Sequence, residues 1–280
     1  MEAGTQLQNV DAPGSAKPVP PSGLKSALGK LRTVLDVNFT LRRQNLYRLR
    51  EHLQGDLLEL GVGEGPDQDF LRSLPGVRSY QGCDREEYSE TYRRGNPTRA
   101  PVRYYTGEEL PFADASFDTA VSLDCIEHIR PAELSRYFAE IHRVLRPGGR
   151  LVLSAPFVYP EHCMPYDYQR FTRSGLVACA EGSGLRARLV TSRSTTLEAL
   201  LVVAIQRFFN RAFPFGISSR FGSAERAGPL GEGVRWVLAP LSAGVYLGLW
   251  AVAAGVSRLP GERRDRSPFS LGYTYVLEKP

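Results

Sequence analysis

The chain has 280 residues, of which 42% are hydrophobic, and a formal net charge of +5. This length and apolar content allow one large core, or one core with an appendage. The four cysteines (Cys83, Cys125, Cys163 and Cys179) are scattered and form no CxxC pair. Their spacing argues against a zinc site or a disulfide scaffold and suits a reducing compartment.

The N-terminal residues 1–23 are rich in Pro, Gly, Ser and Gln, which predicts a disordered tail. They show neither the basic start nor the apolar stretch of a secretion signal, so we expect a cytoplasmic protein. Residues 24–54 follow the apolar spacing of two amphipathic helices, the second of which should end at Gly55.

A regular alternation of strands and helices begins after Gly55. The predicted strands are 57–61, 79–83, 102–106, 118–123, 150–155, 185–192 and 273–279, and the predicted helices between them are about 67–74, 86–94, 131–145 and 171–184. Such alternation predicts an α/β fold with a doubly wound parallel sheet, whose ligands bind at the carboxyl ends of the strands. The predicted domain division is a core at 55–192, an insertion at 193–270 and a final core strand at 271–280.

The segment "LLELGVGEGP" (57–66) predicts a buried strand followed by a glycine turn. Its GxGxG spacing is one residue tighter than the GxGxxG of dinucleotide-binding folds, and a turn of this kind can need glycines for packing alone. Asp84 ends the second strand about 20 residues later, where a carboxylate can accept bonds from both ribose hydroxyls. Together these features favour an adenosine-containing ligand.

Four segments occur in order at ordinary spacing: "LLELGVGEGP", "YQGCD", "ELPFADASFDTAVSLDCIEHI" and "YFAEIHRVLRPGGRLVLSAPF". Together they resemble the class I S-adenosylmethionine-dependent methyltransferases, in particular the small-molecule branch that includes ubiquinone/menaquinone-type enzymes. The resemblance covers about residues 55–192 and resumes at the last strand. It implies a Rossmann-like, seven-stranded sheet of order 3-2-1-4-5-7-6 with a helical insertion before the last strand.

The resemblance also implies where S-adenosylmethionine would bind. Residues near its methionine part would be Glu59, Gly61, Val62, Gly63 and Gly65; Asp84 would hold the ribose; Gly107 and Glu108 would border the adenine; Leu123 and Asp124 would border the sulfonium. Many relatives carry an acidic residue where this chain has Thr106, so adenine would be held by apolar packing, backbone groups or Glu108.

The predicted catalytic candidates are His128 and His162, which follow the fourth and fifth strands. Each has an alternative structural interpretation, as a residue that packs or caps a loop. Tyr166, Asp167 and Arg170 lie in "YPEHCMPYDYQRFT" and are predicted to contact the substrate, or to form a purely structural loop. A metal is not expected, because Asp124 has no downstream Asp-Asn pair with which to share a divalent ion.

The insertion carries ten arginines and five acidic residues between 192 and 270, together with an uncharged run from Trp236 to Ser257. This run could just cross a bilayer, but one crossing would separate the last strand from its sheet. The insertion is therefore predicted to be a helical cap over the site or a peripheral membrane contact.

The prediction is a methyltransferase that acts on a small, partly apolar acceptor, with O-methylation favoured over C- or N-methylation. One alternative is a nicotinamide-dependent oxidoreductase of Rossmann type, which the glycine spacing disfavours. Another is a non-catalytic partner or membrane-binding module that retains the fold. No nucleic-acid partner is expected, because the arginines lie beside apolar runs without a recognition motif.

Overall fold

The computed structural model describes residues 37–63, 65–86, 101–163, 165–212, 244, 248, 251–252, 255 and 267–280. The predicted tail (1–23), most of the predicted helix at 86–94 and most of the insertion beyond residue 212 lie outside these residues. None of the described helices is both long and apolar enough to cross a membrane.

The described strands form one seven-stranded sheet of order β3-β2-β1-β4-β5-β7-β6, as expected. The strands are β1 Gly55–Leu60, β2 Val77–Arg85, β3 Val102–Tyr105, β4 Phe117–Leu123, β5 Leu145–Pro156, β6 Arg186–Ser192 and β7 Gly272–Glu278. The first five strands pair in parallel, whereas β7 runs antiparallel to both β5 and β6. The predicted doubly wound sheet and its strand order are confirmed, and the sheet is mixed because β7 alone departs from the parallel arrangement.

Helices cover both faces of the sheet. They are α1 Val37–Arg48, α2 Gln68–Arg72, α3 Leu134–Val144, α4 Arg173–Glu181 and α5 Thr196–Ala212, with 3-10 turns at Arg50–His52, Ile126–His128 and Pro131–Glu133. On β1, Leu58 and Leu60 pack into the core beneath α3 and α4, whereas Leu57 packs with Leu46 and Leu71 from α1 and α2. The alternation of neighbouring strand residues thus supplies both layers of the core.

Two predicted boundaries differ from the structure. Helix α1 ends at Arg48, and Gly55 begins β1 with a φ of +70° instead of ending the helix. A Cβ at Gly55 would lie 2.2 Å from Asp118 Oδ2, so glycine is required by close packing and by the backbone. The second boundary is the start of β5, which was predicted at residue 150 and lies at Leu145. The "RPGG" segment (146–149) therefore belongs to an irregular first part of this strand, where the pairing with β4 shifts between Phe117 and Thr119.

The inserted segment begins at the carboxyl end of β6, which pairs with the start of β7. In α5, Ala199 and Val202 are buried against Leu41 of α1 and Leu271 before β7. This helix therefore belongs to the packed body of the protein, whereas the sequence placed it in a separable insertion.

Candidate functional site

The glycine turn after β1 contains three residues with positive φ: Gly61 at +69°, Gly63 at +54° and Gly65 at +68°. Their surroundings differ. A Cβ at Gly61 would lie 2.3 Å from Cys125 Sγ, and one at Gly65 would lie 2.9 Å from the Gln68 side chain. At Gly63 a Cβ would meet no described atom within 4 Å. Gly61 and Gly65 are thus needed for packing, while none of the residues that the structure describes occupies the space beside Gly63.

Asp84, at the end of β2, lies directly beside this turn. The backbone N–H of Gly63 donates to Asp84 Oδ2 over 2.8 Å, and the N–H of Arg85 donates to Oδ1 over 2.8 Å. Burial raises the pKa of Asp84, and these two amide donors oppose that rise. Each carboxylate oxygen can accept a second bond, so the group can still receive two hydroxyls. The structure brings together the glycine turn and the acid that the sequence had paired.

Glu59 lies below the turn and is almost fully buried, with 3% of its surface exposed. The Tyr80 hydroxyl donates to its Oε2. Burial, with a contribution from the negative charge of Asp67, raises the pKa of Glu59 to about 8. Its carboxyl is therefore mostly protonated at neutral pH, and a bound cationic group would favour the ionised form.

Asp124 follows β4 in a left-handed conformation, with a φ of +48°. Arg42 of α1 donates to its Oδ2 over 3.2 Å, and Arg193 donates to its Oδ1. Burial acts to raise the pKa of Asp124, but the positive charges of Arg193 and Arg42 outweigh it and lower the pKa. The sequence identified Asp124 and missed both arginines, since the N-terminal helix and the insertion meet only in the folded chain.

The same cluster extends to α2. Arg42 also donates to Asp67 Oδ2 over 2.6 Å, and Arg43 donates to the Pro66 carbonyl over 2.8 Å. Helix α1 is thus tied to the segment that follows the glycine turn. The N-terminal region forms part of the site's wall, although the sequence predicted only helical structure for it.

The predicted adenine side is more open. Gly107 has a φ of +83°, and a Cβ there would meet no described atom within 4 Å. The Glu108 carboxylate is half-exposed and pairs with Arg136 Nη1 at 2.6 Å. Leu123 is buried at the end of β4. The assignment of Gly107 and Glu108 to adenine stays a prediction, as do the other cofactor assignments, including that of the buried Val62.

The two candidate catalytic histidines are neighbours. The ring centroids of His128 and His162 lie 5.0 Å apart in an edge-to-face arrangement. His128 Nδ1 is 2.8 Å from the Tyr166 carbonyl, and His162 Nδ1 is 3.2 Å from the Pro160 carbonyl. A carbonyl can only accept, so His128 Nδ1 carries the hydrogen and its neutral ring leaves the lone pair on Nε2. His162 Nδ1 also lies 3.4 Å from Arg170 Nη2, which can only donate, and 3.3 Å from Asp167 Oδ2.

Between these rings lies Glu127, a residue that the sequence did not single out. Its carboxylate is fully buried, and Oε1 lies 3.5 Å from His162 Nε2 and 3.8 Å from His128 Nε2. Burial acts to lower the pKa of both histidines. Contacts with Glu127, together with a hydrogen bond that His128 donates to Cys163 and the negative charge of Asp167 beside His162, outweigh burial and raise these pKa values.

The predicted substrate residues have unequal positions. Asp167 is buried, accepts from the backbone N–H of His162 over 2.8 Å, and holds both terminal nitrogens of Arg170. Tyr166, in contrast, is 36% exposed. Asp167 and Arg170 therefore shape the loop, and Tyr166 is the member of the trio best placed to touch an external molecule. Their substrate role stays a prediction.

Comparison with known proteins identifies the central domain. Residues 58–153 match the family model described as "Methyltransferase domain". A protein of Mycolicibacterium smegmatis, described as a probable S-adenosylmethionine-dependent methyltransferase, is 34% identical over 122 residues, which are 42% of this chain and 46% of the relative. A similarly described protein of Mycobacterium tuberculosis is 33% identical over 152 residues, or 52% of this chain and 53% of the relative.

The chain thus matches only about half the length of these relatives. A phthiotriol/phenolphthiotriol dimycocerosates methyltransferase of Mycobacterium ulcerans is 36% identical over 98 residues, or 34% of this chain and 35% of the relative. Among solved structures, a SAM-dependent methyltransferase from Archaeoglobus fulgidus is 14% identical with a TM-score of 0.48, and the alignment covers 86% of this chain and 94% of that one.

Proposed function

We propose that this chain, whose residues 58–153 match the methyltransferase-domain family model, is a class I enzyme that transfers a methyl group from S-adenosylmethionine to a small acceptor of partly apolar character. The observation that carries the proposal is the open space at Gly63, directly beside the Asp84 carboxylate. The packing of neighbouring residues does not require a glycine at position 63. A glycine without such a packing role, beside an acidic residue at the end of a strand, leaves room for a ribose and the chain attached to it.

In this proposal each half of the cofactor has its own residues. Asp84 accepts both ribose hydroxyls, and the backbone at Gly61–Gly63 follows the methionine part. The ammonium group of that part lies towards Glu59, whose carboxyl then ionises. Gly107 and Glu108 border the adenine, and Leu123 and Asp124 border the sulfonium. The arginines at Asp124 hold that loop in its left-handed conformation.

Methyl transfer needs alignment more than activation, because the sulfonium carbon is already electrophilic. The acceptor atom must lie in line with the S–CH3 bond and water must be excluded, so the rate comes mainly from orientation. When the acceptor is a hydroxyl, its oxygen forms the new O–CH3 bond as the S–CH3 bond breaks, and the hydroxyl loses its proton. The second product is S-adenosylhomocysteine. We assign activation of such a hydroxyl to His128 and His162, with Tyr166 at the acceptor side.

The insertion supports an apolar acceptor. Arg193, at its start, reaches Asp124, so the inserted chain leaves the sheet at the edge where the predicted site lies. We place residues 193–270 over the acceptor, as a cap or as a peripheral membrane contact. The relative named for phthiotriol and phenolphthiotriol dimycocerosates is consistent with a lipid-like acceptor. O-methylation remains the favoured reaction.

Calorimetry with S-adenosylmethionine and S-adenosylhomocysteine tests the proposal. Asp84→Asn removes the charge and one acceptor oxygen, and should weaken binding by about 2–3 kcal/mol, because hydrogen bonds to charged groups carry about that much. The matched control is Asp114→Asn, whose carboxylate is 79% exposed and pairs with Arg143. Absence of binding to the wild-type chain, or binding of a nicotinamide dinucleotide instead, would overturn the proposal.

A further inference from the structure

Three potential ligands converge where the loop after β4 meets the segment after β5, and a carboxylate lies beside two of them. One ligand atom each from His128, His162 and Cys163 lie within 4.8 Å of one another. The carboxylate of Glu127 lies against both imidazoles, with Oε1 3.5 Å from His162 Nε2 and 3.8 Å from His128 Nε2. The sequence contains no CxxC or HxxxH motif that would predict this group, because 34 positions separate the two histidines.

The carboxylate at the centre of this group has an unusual environment. Glu127 is 0% exposed, and no hydrogen bond reaches Oε1 or Oε2 from the residues that the structure describes. A buried carboxylate without donors is costly, because it loses its hydration without compensation. The Arg170 guanidinium contributes positive charge to this region without a hydrogen bond to Glu127, and a positive charge close to Oε1 would complete the compensation.

A protonated imidazole would supply that charge, and a cation bound by neutral imidazoles would supply it in the same place. In the neutral state the Nδ1 hydrogen of His128 is directed to the Tyr166 carbonyl, so its lone pair lies on Nε2. His162 Nδ1 lies 3.2 Å from the Pro160 carbonyl and 3.4 Å from Arg170 Nη2. Anchoring of the other ring nitrogen by a carbonyl or carboxylate is the usual support for a metal-bound histidine. His162 Nδ1 also lies 3.3 Å from Asp167 Oδ2, which adds a carboxylate to that support.

The distances fit a common ion. Two ligand atoms that each lie about 2.0–2.1 Å from a tetrahedral Zn²⁺ are about 3.4 Å apart. The Oε1–Nε2 separations of 3.5 and 3.8 Å are close to that value. Cys163, held at a φ of +53°, stands in a conformation that non-glycine residues rarely adopt and that is concentrated at functional sites. One thiolate and one carboxylate would neutralise the two charges of the ion.

We propose that His128, His162 and Cys163 bind one divalent transition-metal ion, with the Glu127 carboxylate against both imidazoles and Zn²⁺ the best match to this set. The oxygen-ligated ion that the sequence analysis considered at Asp124 is a different site. Binding of the ion does not depend on methyl transfer. Its consequence for catalysis rests on the proposed function: the histidines would act on an acceptor hydroxyl through the ion and not as free bases.

The test uses the full chain, purified without a metal-binding tag, dialysed against a chelator and titrated with Co²⁺ and Zn²⁺. We expect one ion per chain, with the intense visible absorption of tetrahedral Co²⁺ and a thiolate-to-cobalt charge-transfer band. Cys163→Ser should abolish that band, and His162→Ala should weaken binding by at least about 100-fold, beyond the 10–100-fold typical of residues behind the ligands.

Matched controls are Cys179→Ser, an exposed cysteine, and His142→Ala, a partly exposed histidine on α3. Both should bind Co²⁺ as the wild type does. Far-UV circular dichroism and thermal unfolding verify that each variant is folded, so this inference is tested separately from the proposed function. Two results would overturn the inference: wild-type binding of less than one Co²⁺ per chain, or wild-type affinity no higher than that of Cys163→Ser and His162→Ala. Either result would indicate that a proton shared between Glu127 and a histidine, and not a metal ion, compensates the buried carboxylate.

Discussion

Gly63 and Gly148 share a backbone conformation but differ in location. Their φ values are +54° and +75°, a Cβ at either position would meet nothing within 4 Å, and each N–H donates one hydrogen bond. Gly63 lies in the turn after β1, whereas Gly148 lies in the irregular start of β5, at the opposite edge of the sheet. Substitutions at these two glycines therefore distinguish the effect of backbone strain on stability from an effect on ligand binding.

Gly63→Ala and Gly148→Ala should each lower the free energy of unfolding by about 1–2 kcal/mol, because a side chain is strained in the left-handed region. Only Gly63→Ala should weaken S-adenosylmethionine binding, and Gly63→Val should abolish it, since their side chains would occupy the cofactor's space. Denaturant unfolding and calorimetry measure the two effects. Equal affinity in both alanine variants would place the cofactor elsewhere.

Because the pKa of Glu59 is raised, we expect the free energy of unfolding to decrease as pH rises. Its pKa is about 8 in the folded chain against 4.5 for an ordinary glutamate, so the folded state binds more protons between these values. Stability contributed by the protonated carboxyl is therefore complete below about pH 4.5 and is lost as pH rises towards 8, by at most about 1.4 kcal/mol per pH unit.

Glu59→Gln should remove this dependence, because the amide is neutral at every pH and still accepts from Tyr80. Urea unfolding near pH 5 should find similar stabilities for the two proteins. Near pH 8 the variant should be more stable by about 2–4 kcal/mol. A wild-type protein that gains stability relative to the variant over this window would show that Glu59 is ionised in the folded chain.

Among the elements, the segment between β6 and α5 joins the insertion to the core. Arg193 leads this segment and is buried, with 1% of its side chain exposed, where it pairs with Asp124. Arg188, five residues earlier on β6, makes a comparable ion pair with Glu278 but has 57% of its side chain exposed. The two arginines allow a direct comparison of buried and exposed pairs.

Arg193→Met should destabilise the protein by about 3 kcal/mol, because Asp124 would keep a buried charge with Arg42 as its remaining arginine partner. Arg188→Met should cost less than about 1 kcal/mol, since water screens the exposed pair. Thermal and denaturant unfolding compare the two directly. Equal losses would mean that Arg193 does not anchor the insertion to the site.

The limits of sequence-based prediction also lie at the level of elements. Strand order, glycine turn and the Gly63–Asp84 pair were predictable, because each depends on a local pattern or on the family resemblance. Glu127 was not, since its role depends on two histidines from different loops. The arginines at Asp124 were missed for the same reason. From the sequence, Arg193 counts only among the charges of the insertion. In the structure Arg193 is buried and pairs with Asp124, which precedes it by 69 positions in the sequence.

At the level of the whole molecule, the question is what residues 213–266 add to the described core. They contain seven arginines, four acidic residues and the uncharged run from Trp236 to Ser257. Helix α5 must stay in any truncation, because Ala199 and Val202 are buried against α1. The appropriate deletion therefore begins after Ala212 and joins it to Ser267 through a flexible linker.

This deletion should leave S-adenosylmethionine affinity nearly unchanged, because the predicted cofactor residues all lie between Glu59 and Asp124. If residues 213–266 contact membrane, the intact chain should co-sediment with anionic vesicles at low salt and the deletion variant should not. Replacing Arg263, Arg264 and Arg266 with glutamine removes charge and leaves the apolar run. Release of the intact chain by salt, with loss of binding in this triple variant, would assign the contact to screened charge. Binding that survives both would assign it to apolar insertion, whereas no vesicle binding by the intact chain would contradict the membrane contact and favour a cap.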